Sequence, residues 1–428
     1  MRKCGSGVLF AAMFLVTWVT VAILPCSAEA DVGELSWKQA WALILENNPG
    51  LDSARQSINA AHASLKLSAV PTKVTAGLSG TSTKDEGGRS SSSAGMTFSY
   101  NTSLFDREKA SIEAETAGLR EAEMFFDAAI LSLYRNTAMA FWGAAAGEAS
   151  VKAAREEIVK REAFLEDAKL RFEQGMVPEL DVMRAESALA EAHHYLALRE
   201  ANRSGFEAML KGLAGWMEIR PAEGLFDITE PVVIRQVPPD FANVVSEHPL
   251  VLKATWARDR AQALLRVAEM ISLPTLGLSA TRTLITDGAA AQQYTQDEWW
   301  ARATLTIPVI DGGQARWTAE RARAGLEASQ AELGAAKADV MMALFSAWED
   351  YVAAQKGYEA EQSRFDLVSR EREIVLLRYR EGLANQIEVL DAQTRFAGSL
   401  ASLIDARRGL LVAEASLAAA EGNLPVEE

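Results

Sequence analysis

Cysteine is almost missing from this chain of 428 residues, and the two present, Cys4 and Cys26, lie among the first thirty positions. Beyond them a disulfide framework and cysteine-based zinc sites are excluded. Histidine is scarce too: His62, His193, His194 and His248. Adjacent helical residues such as His193 and His194 point about 100° apart and chelate poorly. The chain has no H-E-x-x-H, no Walker loop and no dinucleotide fingerprint, so no motif supports an enzyme or a cofactor. Positive charge is in deficit, with 43 Lys and Arg against 58 Asp and Glu and a net charge of −15. That argues against a general nucleic-acid partner. After the N-terminal segment no apolar run reaches the ~18 residues of a membrane helix.

The first thirty residues read as a secretory leader. Arg2 and Lys3 form the charged part, Val8 to Leu24 is apolar, and Ala28-Glu29-Ala30 fits a cleavage site before Asp31. A retained anchor is the competing reading, against which the run is short and holds Thr17 and Thr20. Acylation of Cys26 is the other, against which Pro25 stands where a small residue is usual.

What is present is a duplication. The stretch from Leu170 reads LRFEQGMVPELDVMRAES, and from Leu377 the chain reads LRYREGLANQIEVLDAQT. Other marks recur in the same order: Asn48-Pro49 and His248-Pro249, Pro71-Thr72 and Pro274-Thr275, Asp106 and Asp311, Trp142 and Trp348. A long unit repeated twice is a duplicated domain; a solenoid has shorter periods and more copies. The first repeat is assigned to 31–215 and the second to 242–422. A proline-bearing linker at 216–241 has a short strand at Val232–Ile234, and 423–428 is a tail.

Each repeat predicts one very long helix. No proline occurs from Asp311 to Arg380, room for ~100 Å of helix. Leu326, Leu333, Val340, Ala347 and Ala354 recur at every seventh position, as do Leu344, Tyr351, Tyr358 and Phe365. Together they form an a/d seam. Asp311 with Gln314 reads as a capping box, and Asp106 as the cap of the matching helix. The many acids on these helices accompany Arg and Lys, as on a solvated face.

Ahead of each long helix the period changes to two. Met96, Phe98, Tyr100, Thr102 and Leu104 alternate with polar residues, as do Trp299, Ala301, Ala303, Leu305 and Ile307. With Val74–Thr83 and Leu276–Leu284 they predict two β-hairpins, at 74–105 and 276–307, whose loops are 84–93 and 286–297. Strands of ~10 residues, apolar on one face and rich in Ser and Thr on the other, suit a membrane barrel. A soluble sheet packed on a helix is the alternative. Four strands cannot close a membrane barrel, which needs ~8, so several chains would have to share one.

The order is helix, hairpin, very long helix, Gly turn and helix, repeated. It resembles the TolC-like outer-membrane efflux protein family, carried by the two Gly-turn stretches and by the junctions SLFD at 103–106 and IPVIDGG at 307–313. The resemblance implies a mainly α fold with a small β part, internally duplicated. Long coiled-coil hairpins would build an α-barrel, and four strands per chain would join a homotrimer's β-barrel in outer-membrane lipid. It implies a passive exit duct for efflux or type I secretion. The helical part would stand in the periplasm, served by a periplasmic adaptor and an inner-membrane RND or ABC transporter. Gly175-Met176-Val177 and Gly382-Leu383-Ala384 become the adaptor-docking tips. Glu388 and Asp391 match the acidic pair of the family's periplasmic gate, and Asp181 the acid of the first hairpin. The family's Arg two residues after the second Gly is replaced by Ala384. Arg184, the repeat counterpart of Asp391, is the candidate substitute. The competing class is a secreted or periplasmic coiled-coil scaffold without a channel.

Overall fold

The computed structural model describes residues 34–69, 74–84, 90–103, 105–222, 224–227, 235, 237–288 and 299–422. The leader, Leu104, the strand expected at 232–234, parts of both hairpin loops and the tail lie outside the described residues. The first half runs β1 (Glu34–Leu35), α1 (Trp37–Asn47), α2 (Pro49–Ala69), β2 (Val74–Lys84), β3 (Ser90–Ser103), α3 (Arg107–Glu173) and α4 (Glu179–Leu213). After β4 (Arg220–Pro221) come α5 (Phe241–Glu247), α6 (Pro249–Glu269), a 3-10 turn at Met270–Ser272, β5 (Thr275–Gly288), β6 (Trp299–Thr306), α7 (Gln314–Arg380) and α8 (Gln386–Ala420). β1 and β4 form a small parallel pair.

The two hairpins merge into one antiparallel sheet of order β2-β3-β5-β6. Its register alternates two kinds of row. One reads Ala76, Phe98, Ala280, Ala301, and the next reads Thr75, Ser99, Ser279, Arg302. One face is thus apolar and the other polar, the pattern of a sheet between lipid and water. The ladder continues into segments expected as loop, with Lys84 opposite Ser90 and Ser91 opposite Gly288. Ser- and Thr-rich chain that is polar on both faces carries no alternation to mark it as strand, yet its backbone pairs as well as any.

α3 and α7 have 67 residues each, ~100 Å of helix. α4 and α8 have 35 each and fold back along the half nearest the turn, α4 on α3 and α8 on α7. α2 and α6 pack on the other half. This division explains the seam of α7. Leu344, Tyr351 and Tyr358 are buried with Leu403, Leu410 and Leu417 of α8. Leu326 and Leu333 lie beyond the reach of α8 and are only half-buried. In the first repeat Trp37 stacks on Trp142, with centroids 5.9 Å apart, above Phe141 and Leu210. α3 and α4 approach closely because Gly143 lacks a β-carbon: one built there would lie 2.4 Å from the Phe206 ring.

The expected caps of the long helices are corrected. α7 starts at Gln314, with Gly313 at the N-cap, so Gln314 is the first helical residue and cannot close a capping box. Asp311 still serves the helix end from further out, accepting from the Gly313 N–H at 2.9 Å and the Ala315 N–H at 2.7 Å. These bonds hold its carboxyl below the usual range. Asp106 has φ of 25° and its side chain bonds no backbone donor; an N-cap needs extended backbone. Its carboxylate pairs with Lys109 at 2.8 Å instead. Glu108 ties the strand to the helix, accepting from the Ser103 N–H at 3.1 Å and from the Thr102 and Ser103 hydroxyls.

Candidate functional site

The two long helices end in the same way. At the first tip the Met176 N–H reaches the Arg171 carbonyl at 2.8 Å and the Gly175 N–H reaches Phe172 at 2.9 Å. At the second, Leu383 N–H donates to Arg378 at 2.8 Å and Gly382 N–H to Tyr379 at 3.1 Å. Both are Schellman turns, which need a left-handed residue just past the helix. Gly175 and Gly382 supply it with φ of +73° and +74°. A β-carbon on either would meet nothing within 4 Å, so packing does not demand glycine here; the backbone does. Met176 and Leu383 are exposed at 68% and 69%, leaving an apolar residue uncovered at the end of each hairpin.

The return helices start differently. α4 has Pro178 at its cap, with no side-chain bond. α8 has a capping box, in which Asn385 accepts from the Glu388 N–H at 2.9 Å and Glu388 accepts from the Asn385 N–H at 3.4 Å. Glu388 therefore helps to start its own helix. It also faces Arg378 at 3.7 Å, while Arg378 donates to the Leu383 carbonyl at 3.1 Å. Asp391 pairs with Arg395, which also holds Glu371 at 2.9 Å. The Arg395 hydrogen bond keeps the Asp391 carboxyl below the usual range. Each acid of the pair has a basic partner inside the chain.

Asp181 lies at the start of α4 and pairs with Arg184 at 3.3 Å. That pair stays within one helix turn. At the tip the two hairpins are joined by Gln386, whose side-chain amide donates to the Asp181 carbonyl at 3.0 Å. A second link is aromatic: the Arg171 guanidinium lies 4.9 Å from the Tyr379 ring centre, and Phe164 lies 6.1 Å from the same ring. Asp167 holds Arg171 from behind at 2.8 Å. Burial pushes the Tyr379 hydroxyl up, partly offset by Arg171. Sequence reasoning missed Tyr379, Arg171 and Gln386. One signal was available, since Tyr379 stands where the first repeat has Phe172, so only one copy offers a hydroxyl.

At the other end, polar Thr and Ser pairs cross the sheet, as between Thr97 and Thr281 at 3.1 Å. Below the sheet Phe105, Ile307, Val309, Ile310 and Trp317 are exposed, and Trp299 is exposed on the apolar face. Apolar and aromatic side chains at strand ends fit a membrane–water boundary. No helix among the described residues is long and apolar enough to cross a membrane. β2 and β6 each have one strand partner among the described residues, so the sheet is open at both edges.

A narrow amphipathic sheet set on helices that reach ~100 Å beyond it defines a class: outer-membrane channel proteins with a periplasmic helical barrel. The sequence model of the outer membrane efflux protein family matches residues 41–215 and 242–423. The chain belongs to that family. It is 26% identical to Protein CyaE of Bordetella pertussis over 390 residues, covering 86% of this chain and 80% of that one. It is 22% identical to the outer membrane protein TolC of Escherichia coli, covering 80% and 72%. Among solved structures it resembles the open state of the Neisseria gonorrhoeae MtrE outer membrane channel. There the TM-score is 0.78 at 20% identity, over 90% of this chain and 89% of that one. The protein is an outer-membrane channel protein, with its strands in the membrane and its helices in the periplasm.

Proposed function

We propose that three copies assemble into one passive exit duct, which a periplasmic adaptor couples to an inner-membrane RND or ABC transporter for efflux or type I secretion. The observation that carries this is the sheet, open at both edges yet amphipathic across all four strands. Lipid tolerates no open edge, so β6 of one copy must meet β2 of the next. Three copies supply twelve strands, enough to close a barrel. The duct spends no energy itself, since its parts are a pore and a docking end. Gly175-Met176-Val177 and Gly382-Leu383-Ala384 dock the adaptor with their exposed apolar tips. Asp181, Glu388 and Asp391 line the gate, and Gln386, Tyr379 and Arg171 tie the two hairpins together in its closed form.

The experiment is to purify the full chain in detergent, measure its mass and record its conductance in planar bilayers. A trimer that forms discrete channels is expected. A soluble monomer that fractionates away from outer membranes would replace the duct with a coiled-coil scaffold.

A further inference from the structure

The polar face of the sheet is nearly uniform. From 75 to 79, 95 to 103 and 275 to 283, every side chain that shares this face is Gly, Ser, Thr or Asn. β6 departs from the rule with Trp300 and Arg302, which share the face because they are two residues apart. Arg302 stands opposite Ser279, and Trp300 opposite Thr281. The Arg302 guanidinium lies 4.8 Å from the Trp300 ring centre. A guanidinium stacked on an indole is held in one plane and keeps its N–H edge free to meet an anion. No Asp or Glu occupies the polar face of these residues. Arg282, the other arginine of the sheet, lies on the apolar face opposite Trp299, at the end of the described β5–β6 ladder.

We infer that Arg302, seated on Trp300, is the charge filter of the barrel and favours passage of carboxylate-bearing cargo over cations. This rests on the trimeric duct proposed above, which sets three such guanidinium groups at one height in the lumen. The acidic tip lies ~100 Å away, so the two ends act on cargo separately. A guanidinium edge takes a carboxylate through two parallel hydrogen bonds, whereas cations are repelled without contact. The filter is electrostatic. Its reach is ~10 Å in about 0.1 M salt and ~3 Å in about 1 M salt.

The test is the reversal potential of single channels of the full-length protein in a potassium chloride gradient near 0.1 M. Arg302→Gln should lower the chloride-to-potassium permeability ratio by about twofold or more, and Arg302→Lys should keep it. Arg302→Cys should behave like the glutamine variant until a positively charged thiol reagent restores the ratio. The difference between Arg302→Gln and wild type should shrink in about 1 M salt. Channels of normal conductance with an unchanged ratio in Arg302→Gln would overturn the filter and leave the duct standing. No channel from the wild-type chain would remove the duct, and the filter with it.

Discussion

The two repeats solve one problem with different chemistry, and pH separates the solutions. Asn48 caps α2, accepting from the Leu51 N–H at 3.1 Å, and donates to the Leu213 carbonyl at the end of α4, at 2.8 Å. His248 caps α6, accepting at Nδ1 from the Leu250 N–H at 3.2 Å, and its ring faces the Ala419 carbonyl at the end of α8. Both are buried. Histidine performs this double task only when neutral, because a protonated Nδ1 would point a hydrogen at the Leu250 N–H. Burial depresses the His248 pKa below 6.5, and the Ala419 carbonyl opposes it weakly. The unfolded chain therefore takes up the proton first as pH falls. The stabilisation is complete above 6.5 and drains as pH falls toward the folded-state value, at ~1.4 kcal/mol per pH unit. A lost cap costs about 1 kcal/mol, so the expected acid loss at this joint is about 1–2 kcal/mol. His248→Asn copies the first repeat and should flatten that part of the profile, while Asn48→His should add a second sensitive joint. The readout is the denaturation midpoint in detergent from pH 7.5 to 4.5, taken as differences among the three proteins. Lys253, Asp339, Asp350 and Arg135 line the same groove and are common to all three, so the differences report the cap alone. Superimposable profiles for wild type and His248→Asn would refute the reasoning.

Other expectations concern the tips, the gate and the packing. Gly175→Asp with Gly382→Asp meets no neighbour at either turn and strains the left-handed backbone by only roughly 1–2 kcal/mol each, so the protein should still reach the outer membrane but lose export in a resistance or secretion assay; full export in the double variant would remove the tips from docking. Glu388→Gln with Asp391→Asn leaves Arg378 and Arg395 less compensated, so bilayer recordings should show reduced cation preference and weaker block by divalent cations. The same exchange at the mid-helix pair Glu349 and Asp350 should change both much less, and equal effects would mean that no localised acidic ring exists. Gly143→Ala drives a methyl into the Phe206 ring and should destabilise the α3–α4 hairpin by about 1–3 kcal/mol in chemical denaturation; a neutral result would show that the ring swings aside freely.

Much of the fold was legible because it is written in periods. Seven-residue spacing announced α7, two-residue alternation announced β3 and β6, and the paired glycines marked both turns. The starts of the long helices were misread because an acid near a helix start is a weak signal. Asp106 and Asp311 read alike, yet one sits on a positive-φ turn with no backbone bond while the other reaches two N–H groups. That difference lies in backbone angles, which a single letter does not encode. The ends of β3 and β5 were read as loop because a run such as Ser90–Ser93 carries no alternation of apolar and polar residues.

At the tip, residue types were visible and partners were not. Glu388 and Asp391 read as bare acids because their arginines are not marked by any motif. Arg378 reaches Glu388 across the turn, from the preceding helix, and Arg395 lies one turn beyond Asp391. Asp181 read as an acid whose family arginine is replaced by Ala384, and the link between the hairpins runs through its backbone carbonyl instead. Carbonyls are the same at every position, so no alphabet of side chains could flag it. What the duplication does expose is where the copies part company: Phe172 against Tyr379, Asn48 against His248, Pro178 against Asn385. At each pair the second copy holds a group that the first lacks, a phenol, an imidazole or a capping amide. The second repeat therefore carries the tighter helix start, the ring that meets Arg171 and the joint that responds to acid, while the first presents the simpler scaffold against which they work.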